Sequence, residues 1–380
     1  MTTAQLRESD RLLGNTHLPH NINHTSPARD AKRRGAGLPR TVMLSTSEWV
    51  SLGHPDKVAD YISSFLLDRH LERDPDTRFA VEVQIKNEYV TLGGEVTSRA
   101  EFTPDEIAEM VRVAVRQIGY TREYQERWGL ENTICADDLV VAQHVTRQSP
   151  DIAQGVDRDG WGDQGIFWGM AVDNPHAGYM PADHHLARFV GESVFRSRLG
   201  GLDIKTQVAM DGNRVRSLVA AVPQCEEDDE SRLRAYLASL VPEGTEIILN
   251  GTGRYVTHGP IGDCGTTGRK LAVDFYGGNC RLGGGSPWTK DGSKADVALN
   301  LYARHRALRY LKDNRLPLVY CAISCCIGRP DITLAFFDAR NEQLDETQER
   351  FGPQEAAGLL RLREPRYAAL CRNGLFSRIR

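Results

Sequence analysis

Glycine recurs at every third position between residues 259 and 268, and this stretch constrains the fold more than any other. Its letters are Gly-Pro-Ile-Gly-Asp-Cys-Gly-Thr-Thr-Gly, followed directly by Arg269 and Lys270. Glycine lets backbone N–H groups approach an anion and adopts positive φ at little cost, and the two cations suit a polyphosphate. Asp263 would repel phosphate unless an ammonium group or a metal neutralised it. The stretch predicts a loop for a zwitterion beside a polyphosphate, or otherwise only a glycine-rich turn. The Walker A spacing is not met.

The bulk composition is that of a globular protein. The chain has 380 residues, a length that is enough for two or three domains. Hydrophobic residues make up 40% and charged residues 26%, which is ordinary for a globular protein. A net charge of −4 argues against nucleic acid or a membrane surface as a partner. No apolar run approaches the roughly 18 residues of a transmembrane helix.

The eight cysteines show no spacing typical of a zinc site. Cys321, Cys325 and Cys326 lie in an apolar run, which is typical of small core residues. This use of cysteine fits a reducing compartment, so we predict a cytoplasmic protein.

The first forty residues are polar, mixed in charge and interrupted by Pro19, Pro27 and Pro39. They contain no apolar core of a signal peptide. We predict a flexible tail over residues 1–40, with an arm that contacts a partner as the alternative.

Three segments follow the rules of helix formation. Pro55 opens a run with apolar residues at helical spacing, and Thr103 begins a capping box that ends near Gly119. Ser293 is a candidate cap for a third helix.

Strand patterns are equally clear. They cover residues 79–85, 89–92, 205–210, 215–222, 246–249, 271–275, 319–324 and 332–336. Strands and helices do not alternate strictly, which favours an α+β fold. We predict three sheet-plus-helix units with approximate and interleaved boundaries, at 41–150, 151–260 and 261–380.

Clusters of polar residues stand at the ends of these elements. Each also has a simple structural explanation: His54 as a helix cap, Lys57 as a solvated first-turn cation, and residues 290–296 as an exposed charged loop.

Taken together, the clusters resemble the S-adenosylmethionine synthetase (methionine adenosyltransferase) family. Gly-His-Pro-Asp-Lys stands at residues 53–57, Gly-Gly-Glu at 93–95, and the specific signature Gly-Asp-Cys-Gly-x-Thr-Gly-Arg-Lys at 262–270. A glycine triplet at 283–285 is followed by Lys290 and Asp291. The resemblance is collinear from about residue 43 to the C-terminus.

The resemblance implies an enzyme in which the sulfur of methionine attacks C5′ of ATP. The triphosphate leaves and is hydrolysed to phosphate and diphosphate. The family has three similar α+β domains in a pseudo-threefold arrangement, and its homodimers or homotetramers form active sites between subunits. A thioether has no proton to lose, so such a site needs in-line placement and charge stabilisation rather than a general base.

The resemblance also implies residue roles. The catalytic residues are His54, Lys205, Arg269, Lys270 and Lys290. The ATP-binding residues are Lys57, Asp163, Arg254, Tyr255 and Asp263. The methionine-binding residues are Glu95, Gln148, Asp263, Lys294 and Ile327. The expected cofactors are two Mg²⁺ ions, held by Asp56 and Asp296, and K⁺, associated with Glu82.

Some loops depart from the family pattern. Residues 286–289 are Ser-Pro-Trp-Thr where Ala-Phe-Ser-Gly is common, and Val297 replaces an arginine. The segment 327–331, expected beside methionine, gains Arg329, which either pairs with an extra acid on the acceptor or is a surface residue. Two alternatives therefore stand beside methionine adenosyltransferase: the same chemistry on a different thioether, and a weakly active regulatory paralogue that binds nucleotide.

Overall fold

The structure, a computed structural model, describes residues 44–147, 160–377 and 379. The predicted tail over residues 1–40 and the predicted site residue Gln148 lie outside these described residues. No helix of the described segments is long and apolar enough to cross a membrane.

The described residues form strands and helices in mixed order, which confirms the predicted α+β class. The strands are β1 (Leu44–Val50), β2 (Arg78–Lys86), β3 (Tyr89–Thr97), β4 (Val140–Thr146), β5 (Gly165–Val172), β6 (Lys205–Asp211), β7 (Arg214–Ala221), β8 (Glu246–Leu249), β9 (Gly265–Thr266), β10 (Leu318–Cys325), β11 (Asp331–Phe337) and β12 (Gln343–Arg350). The helices are α1 (Pro55–Arg73), α2 (Pro104–Ile118), α3 (Arg122–Trp128), α4 (Ala182–Ser197), α5 (Glu230–Ser239), α6 (Leu271–Asp274), α7 (Ala295–Asn314), α8 (Pro353–Leu359) and α9 (Tyr367–Asn373).

Within the described chain the strands form three four-stranded sheets, with orders β1-β6-β7-β8, β4-β3-β2-β9 and β12-β11-β10-β5. A long helix, α1, α4 or α7, precedes the first hairpin of each sheet, at β2-β3, β6-β7 or β10-β11. The first two units also share the way they add a third strand. β4 and β8 each follow helices and pair in parallel with the second strand of the hairpin, β3 and β7 respectively.

The fourth strand of each sheet comes from a different part of the chain. β1 precedes α1 but pairs with β6, β5 precedes α4 but pairs with β10, and β9 precedes α7 but pairs with β2. The strand that precedes each long helix thus joins the sheet of another unit. The first unit gives its strand to the second, the second to the third, and the third to the first. Because units of the same plan exchange strands in a cycle, this topology agrees with a pseudo-threefold arrangement. The predicted boundaries at 150 and 260 stay a prediction.

Most predicted elements are confirmed, and three local predictions are wrong. Residues 271–275 were expected as a strand, but 271–274 form the helical turn α6. Ser293 does not cap α7, which begins at Ala295, because the backbone N–H of Ser293 instead donates to Asp291. Cys326 is exposed, since it follows the last residue of β10, whereas Cys321 and Cys325 are buried as predicted.

Each long helix packs its unit's sheet from one face. Side chains alternate between buried and more exposed positions along β2, and the buried ones, Phe79, Val81, Val83 and Ile85, belong to the hydrophobic core between sheet and helix. α1 is buried on nearly every side, including its polar first turn. A polar helix start inside the core requires charged partners, and these partners form the candidate site.

Candidate active site

His54 lies at the N-terminus of α1 and caps it. Its Nδ1 accepts a hydrogen bond of 3.1 Å from the backbone N–H of Asp56, so the neutral ring carries its proton on Nε2. Burial, followed by the charges of Lys270 and Lys205, lowers the pKa of His54 to about 2. The imidazole is therefore a neutral hydrogen-bond donor near pH 7, and it lies within electrostatic reach of two predicted phosphate-binding lysines.

Asp56 joins the start of α1 to the phosphate loop, which we define as residues 262–270. One carboxylate oxygen accepts the backbone N–H of Thr266 at 2.9 Å, and the other lies 2.6 Å from Nζ of Lys270. Arg269 Nε is 3.7 Å from the same carboxylate. A Cβ at Gly265 would lie 2.1 Å from the carbonyl oxygen of Pro55, so only glycine lets the loop approach the helix this closely.

Asp296 repeats this arrangement at the start of α7, beside the triplet loop, defined as residues 283–291. Its Oδ1 accepts the backbone N–H of Gly285 at 2.8 Å, and its Oδ2 lies 2.5 Å from Nζ of Lys290. A Cβ at Gly284 would lie 2.8 Å from Asp296 Oδ1. In both pairs a glycine-rich loop supplies an amide and a lysine supplies the counter-charge.

The third long helix also has an aspartate at its second position, Asp183 of α4. Its carboxylate accepts from the Ser47 hydroxyl at 2.8 Å and from the Asn279 amide at 3.0 and 3.1 Å. Asp183 therefore links the start of α4 to Ser47 of β1 and to Asn279, whereas the equivalent residues Asp56 and Asp296 each contact a lysine.

The phosphate loop and the triplet loop lie against each other. A Cβ at Gly268 would lie 2.9 Å from Cβ of Ser286, and Gly268 has φ of +75°. The two loops that carry the aspartate–lysine pairs are therefore in contact with each other.

Lys57, predicted as an ATP ligand, lies beneath the phosphate loop and is only 3% exposed. Its Nζ is 2.6 Å from Asp274 Oδ1 and 3.1 Å from Asp60 Oδ2. Burial acts to lower the pKa of Lys57, but the two carboxylates outweigh it and raise the pKa. Burial also raises the pKa of Asp60. The ammonium group of Lys57 is thus part of a buried ionic cluster.

Glu82 and Glu95 lie on the polar face of the sheet that contains β2. Ala80 pairs with Glu95 on one side and with Lys290 on the other, so these side chains share a face. Glu82 follows two residues after Ala80, and its carboxylate accepts a hydrogen bond from Thr267 of the phosphate loop. Glu82 is therefore a neighbour of the phosphate loop, and it shares its sheet face with Glu95 and Lys290.

Three further predicted residues have less direct connections. Lys294, just before α7, has its Nζ 3.3 Å from Asp291 Oδ2. Asp263 is exposed, and its carboxylate accepts the N–H of Cys264 at 2.8 Å. Arg254 is exposed and donates to Glu226 at 3.0 Å, and Glu226 is not a predicted site residue.

Asp203 is a candidate site residue that the sequence did not reveal. It is 3% exposed, its Oδ2 accepts the N–H of Gly259 at 3.0 Å, and its Oδ1 has no hydrogen-bond partner among the described residues. Burial raises its pKa, and the charge of Lys205 opposes this. The Tyr255 hydroxyl donates to the Asp203 carbonyl at 3.2 Å. The available signal was an aspartate in the apolar run Gly-Leu-Asp-Ile before Lys205.

Asp163 and Ile327 meet through the buried Trp161. Trp161 forms a backbone bridge with Ile327, and the carbonyl of Asp163 accepts from Sγ of Cys325 at 3.5 Å. Burial raises the pKa of Cys325 to about 12, with contributions from Asp163 and Asp296. Asp163, predicted near ribose, and Ile327, predicted near methionine, therefore lie on the α7 side of the site.

The aspartates fit a metal that is shared with a polyphosphate. In the described part of the chain, no three His, Cys, Asp or Glu residues are grouped to hold an ion by themselves. Asp56 and Asp296 each offer one carboxylate next to a lysine. Mg²⁺ is commonly bound through one or two carboxylates plus substrate phosphates, so this donor set suits it. Glu82 is likewise a single carboxylate.

These features define an α+β protein with a cationic site built from two glycine-rich loops and the starts of two long helices. Sequence models of the N-terminal and C-terminal domains of S-adenosylmethionine synthetase match residues 42–150 and 257–380. The chain belongs to the S-adenosylmethionine synthetase family, a family of enzymes.

Individual proteins support this assignment. S-adenosylmethionine synthase of Zymomonas mobilis is 33% identical over 377 residues, covering 89% of this chain and 94% of that protein. S-adenosylmethionine synthase 2 of Rhodospirillum rubrum is 34% identical over 368 residues, covering 88% and 92%. A solved structure, described as an unusual S-adenosylmethionine synthetase from Campylobacter jejuni, is similar with a TM-score of 0.79 and 27% identity, covering 88% and 95%. This likeness confirms the predicted fold of three similar units in pseudo-threefold arrangement.

Proposed function

We propose that the chain transfers the adenosyl group of ATP to the sulfur of L-methionine and forms S-adenosylmethionine. The released triphosphate is then hydrolysed to phosphate and diphosphate. The observation that carries the proposal is the pairing of Asp56 with Lys270 and of Asp296 with Lys290 in adjoining glycine-rich loops. Family membership and the names of the relatives support it.

In this proposal His54 donates a hydrogen bond from Nε2 to the phosphate oxygen that leaves C5′. A neutral imidazole suits this role, since it is already a donor and releases no proton to the solvent. Methionine sulfur is neutral, so no residue is needed to deprotonate it. The protein's contribution is alignment of sulfur with C5′ and stabilisation of the departing charge.

Four cations bind the triphosphate and its products in the proposal: Lys205, Arg269, Lys270 and Lys290. Lys57 supports the phosphate loop from below. Asp56 and Asp296 would hold two Mg²⁺ ions, and Glu82 would be associated with K⁺. Bound Mg²⁺ supplies charge that neutralises phosphate oxygens.

The remaining predicted residues bind the organic parts of the substrates. Arg254 and Tyr255 flank adenine and Asp163 binds ribose. Glu95, Gln148, Asp263, Lys294 and Ile327 bind methionine. Asp203 is added to this set, because an unpaired buried carboxylate oxygen needs a donor.

The proposed enzyme is a homodimer or homotetramer with its site between subunits. Exposed apolar residues on the open faces of the sheets support this, among them Tyr89, Val140 and Ile166. We assign the activity to the cytoplasm, which the eight free cysteines support.

The same transfer to a different thioether is the second candidate. Arg329 favours it, because this exposed cation stands in the segment that carries Ile327 and would attract an acceptor with an additional acid.

Product analysis separates these functions. The protein is incubated with ATP, Mg²⁺, K⁺ and methionine, and the products are identified by mass spectrometry. S-adenosylmethionine with equal amounts of phosphate and diphosphate is the expected result. Unreacted ATP with methionine, but turnover with an acidic thioether, would favour the second candidate. Nucleotide binding without turnover of any thioether would favour the regulatory paralogue.

A further inference from the structure

Trp288 is fully buried in the triplet loop, in the stretch where the sequence departs from the common family pattern. Its exposure is 0%, and the next residues lead to Lys290. The loop backbone is fixed on both sides of the indole. The backbone N–H of Trp288 donates to Ser286 Oγ at 3.2 Å, and the carbonyl of Thr289 accepts from the N–H of Val81 at 2.9 Å.

The indole of Trp288 contacts the ionic cluster under the phosphate loop. Its Nε1–H donates to Asp274 Oδ2 at 2.7 Å, while Asp274 Oδ1 binds Nζ of Lys57. Nζ of Lys57 also lies 4.5 Å from the centre of an indole ring, which is a cation–π distance. Trp288 therefore fixes one carboxylate oxygen of Asp274 and one side of the Lys57 ammonium group.

This cluster continues into the phosphate loop. Lys57 lies 3.1 Å from Asp60 Oδ2, and Asp60 Oδ1 accepts the backbone N–H of Gly268 at 2.9 Å. Gly268 has positive φ and touches Ser286, so its peptide orientation is set by Asp60 from below and by the triplet loop from the side. Contacts thus run from Trp288 through Asp274, Lys57 and Asp60 to Gly268.

We propose that Trp288 is a positioning residue that fixes the phosphate loop through Asp274 and Lys57, so that the loop is preorganised for a polyphosphate. The inference rests on the proposed function, because it takes the loop to bind triphosphate. It gives Lys57 a role under the loop instead of on the substrate. Low-dielectric surroundings strengthen these charge-assisted hydrogen bonds and keep the loop in one geometry.

The test is calorimetric binding of Mg²⁺–tripolyphosphate to wild type and to Trp288→Phe. Phenylalanine keeps a buried ring but removes the donor to Asp274. Loss of one hydrogen bond to a charged group corresponds to a rise in Kd of about tenfold. The Kd for methionine, measured in the same way, should stay unchanged, which general loosening of the fold would not produce.

Trp161→Phe is the matched control. Trp161 is also fully buried, and its Nε1–H donates to the Phe351 carbonyl at 3.0 Å, outside the ionic cluster. We expect a similar loss of thermal stability without a change in tripolyphosphate affinity. Equal affinity in wild type and Trp288→Phe, or equal weakening in both variants, would overturn the inference and leave the proposed function standing. A wild-type chain that binds neither ATP nor tripolyphosphate would overturn both.

Asp274→Asn provides a second route if Trp288→Phe does not fold. Asparagine keeps an acceptor for the indole but loses the charge that binds Lys57. We expect weaker tripolyphosphate binding, again with unchanged methionine binding. Unchanged tripolyphosphate binding would overturn the inference.

Discussion

Asp56 and Asp296 each bind a backbone amide with one oxygen and a lysine with the other. Each lysine neutralises the carboxylate that would hold Mg²⁺, and each carboxylate neutralises a lysine that would bind phosphate. A metal ion alone must displace an ammonium group, and a phosphate alone must draw the lysine from its carboxylate. Metal and triphosphate together meet no such opposition, since each takes one member of the pair. Binding of the two should therefore be mutually favourable.

Lys290→Met tests this exchange at the more exposed pair. Removal of the ammonium group frees Asp296, so Mn²⁺ added without nucleotide should bind at least about tenfold more tightly. Two unit charges about 4 Å apart near a protein surface interact by about 4 kcal/mol, so the lost competition is large enough. Mg²⁺–tripolyphosphate should bind more weakly in the same variant. Electron paramagnetic resonance of free Mn²⁺ and calorimetry measure the two effects.

Lys312→Met is the control for general loss of positive charge. Lys312 is on the same helix, α7, and its Nζ lies 4.4 Å from the ring centre of Tyr179. Neither affinity should change there. Weaker or unaltered Mn²⁺ binding in Lys290→Met would show that lysine and metal do not share Asp296.

His54→Asn separates the helix cap from the proposed chemistry. Asparagine is among the best N-cap residues, so the melting temperature should change little. Loss of the preorganised Nε2 donor should slow adenosyl transfer about 10²-fold in single turnover. ATP affinity should be nearly unchanged. A wild-type single-turnover rate would remove His54 from the reaction.

The sequence predicts residues for this candidate site more readily than it predicts their partners. His54 and Asp56, Lys270, and Lys290 stand in three short motifs, and each motif can be recognised from its own letters. The buried position of Lys57 depends on Asp274, which is more than two hundred residues away in the chain. Such a pairing is set by tertiary packing and leaves no local pattern.

At the scale of elements, helices with their own caps were predicted best. The capping box at Thr103 and the terminal Gly119 are present as expected. Residues 271–275 were predicted wrongly, because a short apolar run suits a strand or a buried helical turn equally well. The contacts of Asp274 with Lys57 and Trp288 belong to the helical turn, and no local signal specifies them.

Asp68 connects the element α1 with α9 and gives a pH-dependent prediction. Its carboxylate accepts the backbone N–H groups of Tyr367 at 2.8 Å and Ala368 at 3.0 Å. Burial raises the pKa of Asp68 from 3.8 to about 6 despite these bonds. The folded state thus binds the proton more tightly than the unfolded state, so this group's contribution to stability declines as pH rises through about 6.

Asp68→Asn removes the ionisation and keeps one acceptor oxygen. Relative to wild type, the free energy of unfolding of the variant should rise between about pH 4 and about pH 7. Urea unfolding at both pH values measures this difference. A relative stability that falls with pH would mean that the hydrogen bonds outweigh burial and that the pKa of Asp68 is lowered.

At the scale of the whole molecule, the cyclic exchange of β1, β5 and β9 was beyond sequence reasoning. The exchanged strands pair with β6, β10 and β2, far away in the chain, and β9 has only two residues. The three units share a plan without a repeat in their letters. Even the aspartates at the second position of α1, α4 and α7 have different sequence neighbours. The residues two positions before them, at the helix caps, are His54, Pro181 and Lys294.

Each sheet covers its core with one face, and the other face carries exposed apolar residues. In β3, Val90 is buried while Tyr89 is 57% exposed. Tyr89 pairs in register with Val140 of β4, which is 53% exposed, so the two side chains lie next to each other. An antiparallel or mixed sheet tolerates one solvated face, but that face is normally polar. The apolar pair therefore marks the contact expected in the proposed homo-oligomer.

Tyr89→Glu should dissociate the oligomer, because a carboxylate placed in an apolar interface must be desolvated without a partner. Adenosyl transfer should fall by more than about tenfold, since the proposed site needs residues of both subunits. Sedimentation velocity and product formation at one protein concentration measure the two effects. Leu359→Glu is the control, because Leu359 is 55% exposed but lies at the end of helix α8. A Tyr89→Glu protein with the size and rate of wild type would mean that this sheet face is not the interface.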